Sequence, residues 1–318
     1  EGYSSLGYSG LWTAYKTTDV RDNGKIWDMY SDCSWTVGSD QCGSYKKECD
    51  CYNREHSIPK SWFGGSESGP GCDIFHVVPT DGWVNNKRSN DAFGEVSSAS
   101  YSYDGAKLGS AKSITITGGN TIAGNTGASI SCSGTVFEPR DEYKGDFARA
   151  YFYIATAYHD MKWDATYSQF VTNDSYLTFT PYLVSVLLQW HRIDPVSEKE
   201  INRLDAISSL QHNRNPYIEY PELVEYIWGN KQGEKVDLDQ LVRTTSKEYD
   251  IPTDTINPTA YPATDITDST FSAHWKDQGR KSYLLEVFTL QETGHNDTLI
   301  SMPGFNSSIV AESGNKIQ

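Results

Sequence analysis

Residues 52–62 read YNREHSIPKSW and place a glutamate and a histidine, Glu55 and His56, next to each other. On a β-strand neighbouring side chains point to opposite faces, so these two would not serve one site if the strand simply continued. Pro59 disfavours helical backbone at the residue before it and is typical of a chain that turns. We therefore expect the strand to end near His56, so that Glu55 and His56 turn towards a common site. A surface turn of mixed charge is the alternative.

The composition limits the classes of protein to consider. The chain has 318 residues and a formal net charge of −15 at pH 7, which excludes a protein held on polyanions by a broad basic surface. A cleft with a few local cations and a bound metal remains compatible with that charge. No apolar run reaches the ~18 residues that a membrane span needs. The chain begins with Glu and shows no basic-then-apolar leader, as a processed secreted chain would.

All cysteines lie in the first part of the chain, at positions 33, 42, 49, 51, 72 and 132. An even number clustered in one region predicts three disulfides formed in an oxidising compartment. A zinc site is the alternative, but these spacings contain no paired C-x2-C pattern. The sequence does not choose among the pairings.

Hydrophobic periodicity predicts an α+β fold. Apolar residues follow helical spacing over residues 145–160 and 179–192, and a Ser197/Glu200 capping box begins a third helix. Residues 1–96 show little periodicity, and residues 97–135 predict hairpins or a long ordered loop. A polar, acidic stretch follows Trp228, and alternation typical of strands begins near residue 258.

Several catalytic patterns are absent from the sequence, including G-x-S-x-G, H-E-x-x-H and the P-loop. A site that cleaves phosphodiesters needs a hard cation to polarise the phosphate and a base to activate water. Magnesium is often held by one or two protein side chains, with waters and substrate completing its shell. Glu55 and Asn85 offer such oxygen ligands, and His56 offers a base that titrates near neutral pH.

Four motifs in this order resemble the bacterial endonuclease I family of secreted or periplasmic nucleases. They are NREHSIPKSWFGG (53–65), DIFHVVPTDGWVNNKRSN (73–90), FEPRDEYKGDFARAYFYIA (137–155) and QHNRNPYIEYP (211–221). The resemblance covers roughly residues 1–229 and implies a ββα-metal (His-Me finger) core with several packed helices.

The resemblance also implies roles for individual residues. His56 corresponds to the general base that activates water, and Glu55 to a carboxylate metal ligand. Asn85 corresponds to the second metal ligand, on the helix of the ββα element. The implied metal is Mg²⁺, with Mn²⁺ or Ca²⁺ as substitutes. Arg88 and Arg149 match arginines of the family motifs that would contact phosphate.

Structural roles remain open for the same residues. Arg88 would instead pair with Asp91 or Glu95, and Arg149 would instead link two helices. His76 would either orient the site or be a hydrogen-bonded structural histidine.

One departure from the family pattern concerns the phosphate-stabilising arginine between the histidine and the asparagine. Residues 57–87 contain no Arg, and Lys60 and Lys87 are the only cations there. A lysine, Arg54, or one of the two arginines above would have to take this role, although lysine does not bind phosphate bidentately.

The C-terminal part resembles a fibronectin type III module but is too short for its usual seven strands. We therefore expect a nuclease domain over residues 1–229, an acidic linker over 230–257 and a partial fibronectin type III-like, all-β segment over 258–318. The leading functional hypothesis is a secreted, metal-dependent, largely sequence-nonspecific endonuclease that acts on DNA and also on RNA and leaves 5′-phosphates. The alternatives are a non-catalytic extracellular binding protein and a phosphodiesterase for smaller esters.

Overall fold

The structure is a computed structural model that describes residues 3–115, 128–174, 176 and 178–245, together with the backbone of six strands between 260 and 312. The chain divides into two compact units, Glu1–Thr255 and Ile256–Gln318. Residues 116–127 of the predicted hairpin region lie outside the described residues. Within the described residues no helix is long and apolar enough to cross a membrane.

The described part of the larger unit mixes helices and strands, in agreement with the α+β prediction. Its α-helices are α1 (Gly7–Thr18), α2 (Gly82–Arg88), α3 (Lys144–Ala157), α4 (Pro181–Ile193), α5 (Glu198–Gln211), α6 (Pro216–Glu219) and α7 (Leu223–Ile227). Its strands are β1 (Tyr52–His56), β2 (Val77–Asp81), β3 (Ala92–Phe93), β4 (Val96–Tyr103), β5 (Ala106–Ala111), β6 (Ile114–Thr115), β7 (Ser129–Ile130) and β8 (Thr135–Glu138).

Strands β1 and β2 form a two-stranded antiparallel sheet, and α2 follows β2 directly, which is the ββα order. A separate four-stranded sheet has the order β3-β8-β5-β4, in which only β3 and β8 run parallel. Strands β6 and β7 form a second two-stranded sheet.

The predicted helices form where their start signals lie. The Ser197 hydroxyl oxygen accepts a hydrogen bond from the backbone N–H of Glu200, and the Glu200 carboxylate accepts one from the backbone N–H of Ser197, so the capping box is present. Helix α4 begins at Pro181, whose fixed φ suits a first helical position. Helix α1 was not predicted, although Leu11, Ala14, Tyr15 and Thr18 are buried at helical spacing.

An aromatic core connects the helices to the ββα unit. The Phe93 ring centroid lies 4.8 Å from that of Phe147, 5.4 Å from Tyr151 and 5.8 Å from Trp190. Burying each such ring stabilises the fold by roughly 1.5–3 kcal/mol. The Tyr151 hydroxyl also donates a 2.7 Å hydrogen bond to the Ser57 carbonyl, so α3 fixes the turn that follows β1.

The cysteine prediction is only partly met. Cys33 bonds to Cys49 and Cys42 to Cys51, while Cys72 and Cys132 are free thiols. The predicted third disulfide is therefore wrong for this structure. Cys72 is instead buried against the Ser5 hydroxyl, with an Sγ–Oγ distance of 3.0 Å.

Part of the segment predicted as linker packs on the larger unit. Arg243 forms an ion pair with Glu219 at the end of α6, and the buried Thr244 donates its backbone N–H to the Glu219 carbonyl at 3.0 Å. The remaining linker residues from 246 to 257 lie outside the described residues. The predicted boundary at residue 229 stays a prediction.

In the second unit the described backbone forms three antiparallel strand pairs. The strands are β9 (Ala260–Thr264), β10 (Ser272–Trp275), β11 (Ser282–Leu285), β12 (Thr289–Thr293), β13 (Asn296–Ile300) and β14 (Ile309–Glu312), paired as β9–β10, β11–β14 and β12–β13. The fibronectin type III-like assignment over 258–318 stays a prediction.

Candidate active site

The ββα unit brings α2 against one face of β1. Asn53 and Glu55 are two residues apart on the strand and therefore share a face. Asn85 and Arg88 are three residues apart on α2 and share a helix face. The Asn85 amide donates a 2.8 Å hydrogen bond to the Asn53 side chain, and the Arg88 guanidinium contacts the Glu55 carboxylate. Two residues one turn apart on α2 thus contact two residues that are two positions apart on β1.

The Glu55 carboxylate is held through one of its oxygens. Oε1 accepts a 2.6 Å hydrogen bond from the Tyr30 hydroxyl and a second from Arg88 Nη1. Among the described residues no side chain donates to Oε2, which leaves that oxygen available to a ligand. Burial raises the pKa of Glu55, and the charge of Arg88 together with the Tyr30 hydrogen bond act in the opposite direction.

Asn85 presents its amide oxygen in a similar way. Asp81 caps α2 by accepting the backbone N–H groups of Trp83 at 2.8 Å and Val84 at 3.2 Å, which fixes the first turn of the helix. Because the Asn85 amide nitrogen donates to Asn53, its Oδ1 points away from that bond. No donor in the described part of the chain occupies Oδ1.

Together these observations fit a hard divalent cation. A carboxylate oxygen and an amide oxygen are ligands that magnesium accepts, and it keeps several waters or substrate oxygens beside them. Glu55 Oε2 and Asn85 Oδ1 come from one face of the same strand–helix pair, and no side chain among the described residues donates to either oxygen.

Burial keeps His56 neutral but weakens it as a base, and one hydrogen bond fixes its tautomer. Its Nε2 lies 3.0 Å from the Gly71 carbonyl oxygen, which only accepts, so Nε2 carries the proton and Nδ1 keeps the basic lone pair. Burial, with a smaller contribution from His76, lowers the pKa of His56 to about 3. The imidazole is therefore neutral at neutral pH. Its ring stacks on Tyr8 with centroids 5.7 Å apart.

The path of the strand differs from the expectation. Pairing stays regular through Glu55↔Val78 and His56↔Val77, so the chain does not turn between Glu55 and His56, and their side chains leave opposite faces. The turn comes later, at Ser57. Both faces of β1 nevertheless border the same strand edge, the one that does not pair with β2. Of the described residues, only Tyr52 forms a bridge on that edge, to Gln41.

Gly71 is a positioning residue that sequence reasoning missed. A Cβ atom at this position would lie 1.9 Å from the Ser66 carbonyl oxygen, so only glycine fits and places its own carbonyl against His56. His76 supports the same loop, with Nε2 donating to the Pro70 carbonyl at 2.5 Å, and packs edge-on against His56 with centroids 5.8 Å apart. The signal that could have found Gly71 is the G-P-G run at 69–71.

Arg88 does not lie where a phosphate could reach it. The side chain is fully buried, and its nitrogens donate to Glu55, to the Tyr30 hydroxyl and to three backbone carbonyls. Its ionic partner is Glu55 rather than Asp91 or Glu95. We therefore assign Arg88 a positioning role in place of the phosphate contact expected from the sequence.

Arg149 is likewise removed from the site. Its guanidinium is fully buried and forms a two-point ion pair with Glu200, at 2.7 and 2.5 Å, and donates to the Asp194 carbonyl at 2.8 Å. This contact joins α3 to α5, which is the helix-linking role that the sequence left open. The expected phosphate contact is not supported by this position.

One further group of potential ligands lies nearby. Cys33, Cys49 and Asp81 approach one another closely enough to hold an ion, the one such His, Cys, Asp or Glu group within the described residues. The two sulfurs are joined in a disulfide and are not thiolates, and Asp81 accepts the Cys49 N–H at 2.8 Å besides capping α2. This group therefore does not fit a metal.

Comparison with known proteins shows the family to which the chain belongs. The family model described as Endonuclease I matches residues 2–222. An extracellular ribonuclease of Bacillus amyloliquefaciens is 36% identical over 236 residues, which is 71% of this chain and 70% of that protein. An extracellular ribonuclease of Bacillus subtilis is 34% identical over 236 residues, again 71% of this chain and 70% of that protein. The chain therefore belongs to the endonuclease I family.

Proposed function

We propose that this protein is a secreted, divalent-metal-dependent endonuclease that hydrolyses phosphodiester bonds of RNA and DNA with little sequence preference. One observation carries the proposal: two oxygens to which no described side chain donates, Glu55 Oε2 and Asn85 Oδ1, adjoin the strand end that carries His56. The names of the two relatives support RNA as a substrate and an extracellular location. The two disulfides fit an oxidising compartment.

Each residue has a defined part in the proposed reaction. Glu55 and Asn85 would hold Mg²⁺, with Mn²⁺ or Ca²⁺ as substitutes, and the bound ion would polarise the phosphate and stabilise the leaving oxygen. His56 Nδ1 accepts a proton from the attacking water, because Nε2 is committed to the Gly71 carbonyl. Cleavage of the P–O3′ bond would leave a 5′-phosphate and a 3′-hydroxyl, as the family resemblance implies.

The decisive experiment compares plasmid nicking and RNA hydrolysis with Mg²⁺ and with EDTA, for the wild type and His56→Ala. Losing the general base is expected to reduce kcat by about 10²–10⁴-fold. His159→Ala is the matched control, since His159 is exposed and lies beyond the end of α3.

Two results would overturn the proposal. If the wild type leaves plasmid and RNA intact with every divalent ion, a binding protein on a nuclease scaffold explains the fold better. If it hydrolyses only small phosphate esters, the phosphodiesterase alternative replaces the nuclease.

A further inference from the structure

A groove of about 440 Å³ lies beside the edge of β1 that does not pair with β2. Tyr8 and Trp12 of α1 form one wall, Asn53 and Arg54 of β1 form the floor, and residues 41–43 close the far side. The volume lies within the range of small-molecule sites, roughly 300–1,000 Å³. Because Asn53 and Arg54 leave opposite faces of the strand, the groove is reached from both faces.

Arg54 is a fixed cation in this groove. Its guanidinium carbon lies 3.5 Å from the centroid of the Tyr8 ring and 4.5 Å from that of Trp12, and Nη1 donates to the Tyr8 carbonyl at 2.6 Å. Within the described part of the chain, no carboxylate forms an ion pair with it. The nearby Lys60, in contrast, is paired with Glu67 at 2.8 Å. Two aromatic rings thus hold a positive charge whose counter-ion is not supplied by the described protein.

This combination fits one class of ligand. Arginine binds phosphate through charge-assisted hydrogen bonds, and aromatic rings beside it are the surface on which unpaired bases stack. A base in a duplex is already stacked on its neighbours and would not reach the groove wall. The chemistry therefore favours a nucleotide of a single strand over a duplex.

The position of the groove relates it to the active site. Arg54 precedes Glu55 in the strand, and Asn53 binds the Asn85 amide. A nucleotide in the groove would therefore adjoin the one whose phosphate is cleaved. Arg54 also supplies a cation close to His56, where residues 57–87 contain no arginine.

We propose that this groove binds one nucleotide of an unpaired substrate strand, with Arg54 receiving its phosphate and Trp12 packing against its base. The inference rests on the proposed nuclease function and names the form of nucleic acid that the same site prefers. Tyr8 holds Arg54 in place and also stacks on the His56 ring.

The test uses Arg54→Gln and Trp12→Ala with oligonucleotides of one sequence, supplied as single-stranded RNA, single-stranded DNA and duplex DNA. Each substitution is expected to raise KM for both single strands by about tenfold, as loss of one base stack or one phosphate contact would. The value of kcat is expected to change little. Arg54→Gln should also reduce the salt dependence of binding by about 0.7 in log–log slope.

Arg21→Gln is the matched control. Arg21 also lies over a tryptophan, 4.9 Å from the centroid of Trp27, but it is paired with Asp32 and lies outside the groove. Because Trp12 packs edge-on against Tyr52, Trp12→Phe provides a second variant that keeps a ring. It should fold normally and show a smaller rise in KM than Trp12→Ala.

The outcomes separate this inference from the proposed function. If the wild type cleaves nucleic acid while Arg54→Gln and Trp12→Ala behave like Arg21→Gln, the groove is not a subsite and the nuclease proposal stands. If the wild type cleaves nothing, fluorescence anisotropy of the labelled single strands in EDTA still decides. Binding that both variants weaken supports the groove, and an absence of binding overturns it.

Discussion

Arg88 and Glu55 form a buried ion pair that joins α2 to β1, and the carboxylate oxygen involved is the one that also receives the Tyr30 hydroxyl. The contact leaves the other oxygen of Glu55 facing away from the guanidinium. Arg88 therefore acts on the proposed metal site through Glu55, by neutralising its charge and fixing its orientation.

Removing Arg88 should destabilise the protein strongly. Arg88→Met is expected to cost about 3–5 kcal/mol in the free energy of unfolding, because the Glu55 charge stays buried without its partner. Urea denaturation of Arg88→Met, Glu55→Gln and the double variant measures the coupling. The double variant should lose less than the sum of the single variants, and strictly additive losses would show that the pair does not interact.

Arg149 offers a test of stability against catalysis. Arg149→Met is expected to lower the free energy of unfolding by about 3–5 kcal/mol, because Glu200 is left unpaired in the core. At a temperature where the variant stays folded, its kcat/KM should match the wild type. Arg192→Met removes the more exposed ion pair with Glu225 and should cost less, about 0.2–1 kcal/mol. A catalytic defect in folded Arg149→Met would instead support the hypothesis that Arg149 contacts phosphate.

Asp28 should make stability depend on pH. It is fully buried, and burial raises its pKa from 3.8 to about 7. The folded protein then holds this proton more tightly than the unfolded chain, so its contribution to stability is lost as pH rises from about 4 to about 7. Asp28→Asn should flatten that part of the curve of thermal midpoint against pH. Asp32→Asn, at an exposed carboxylate, is the control variant.

The disulfide pairing predicts the number of free thiols and the loss of unfolding free energy when one disulfide is removed. Unfolded but unreduced protein should show two reactive thiols per chain, from Cys72 and Cys132. The Cys33–Cys49 bond closes a sequence separation of 16 residues, so replacing both with serine should cost about 3 kcal/mol. Finding no thiol would instead support the third disulfide that the sequence predicted.

Local patterns predicted the helices well, because their signals are local. The capping box at Ser197 and the apolar spacing in α3 and α4 require no distant partner. The order β1, β2, α2 and the placing of Asn85 on α2 followed from the family resemblance. Helix α1 was missed because its first turn is glycine-bearing and it has no side-chain cap.

Contacts between distant residues could not be read from the sequence. Arg88 was expected to contact phosphate, with a near neighbour as the alternative partner. It pairs instead with Glu55 on another element, because the packing of α2 on β1 decides its partner. Tyr30 and Gly71 come from irregular segments whose role is visible only once the chain has folded. The spacing of the cysteines also does not determine their pairing, because the pairing depends on which cysteines the fold brings together.

The hydrogen bond from the Cys49 backbone to Asp81 ties a cystine-bearing loop to the cap of the helix that carries Asn85. A reducing cytoplasm would leave that loop without its covalent anchor at Cys33. For the nonspecific nuclease proposed above, the covalent anchor would form only after export to an oxidising compartment. Inside the producing cell, DNA and RNA would then be exposed only to the form that lacks the Cys33–Cys49 disulfide.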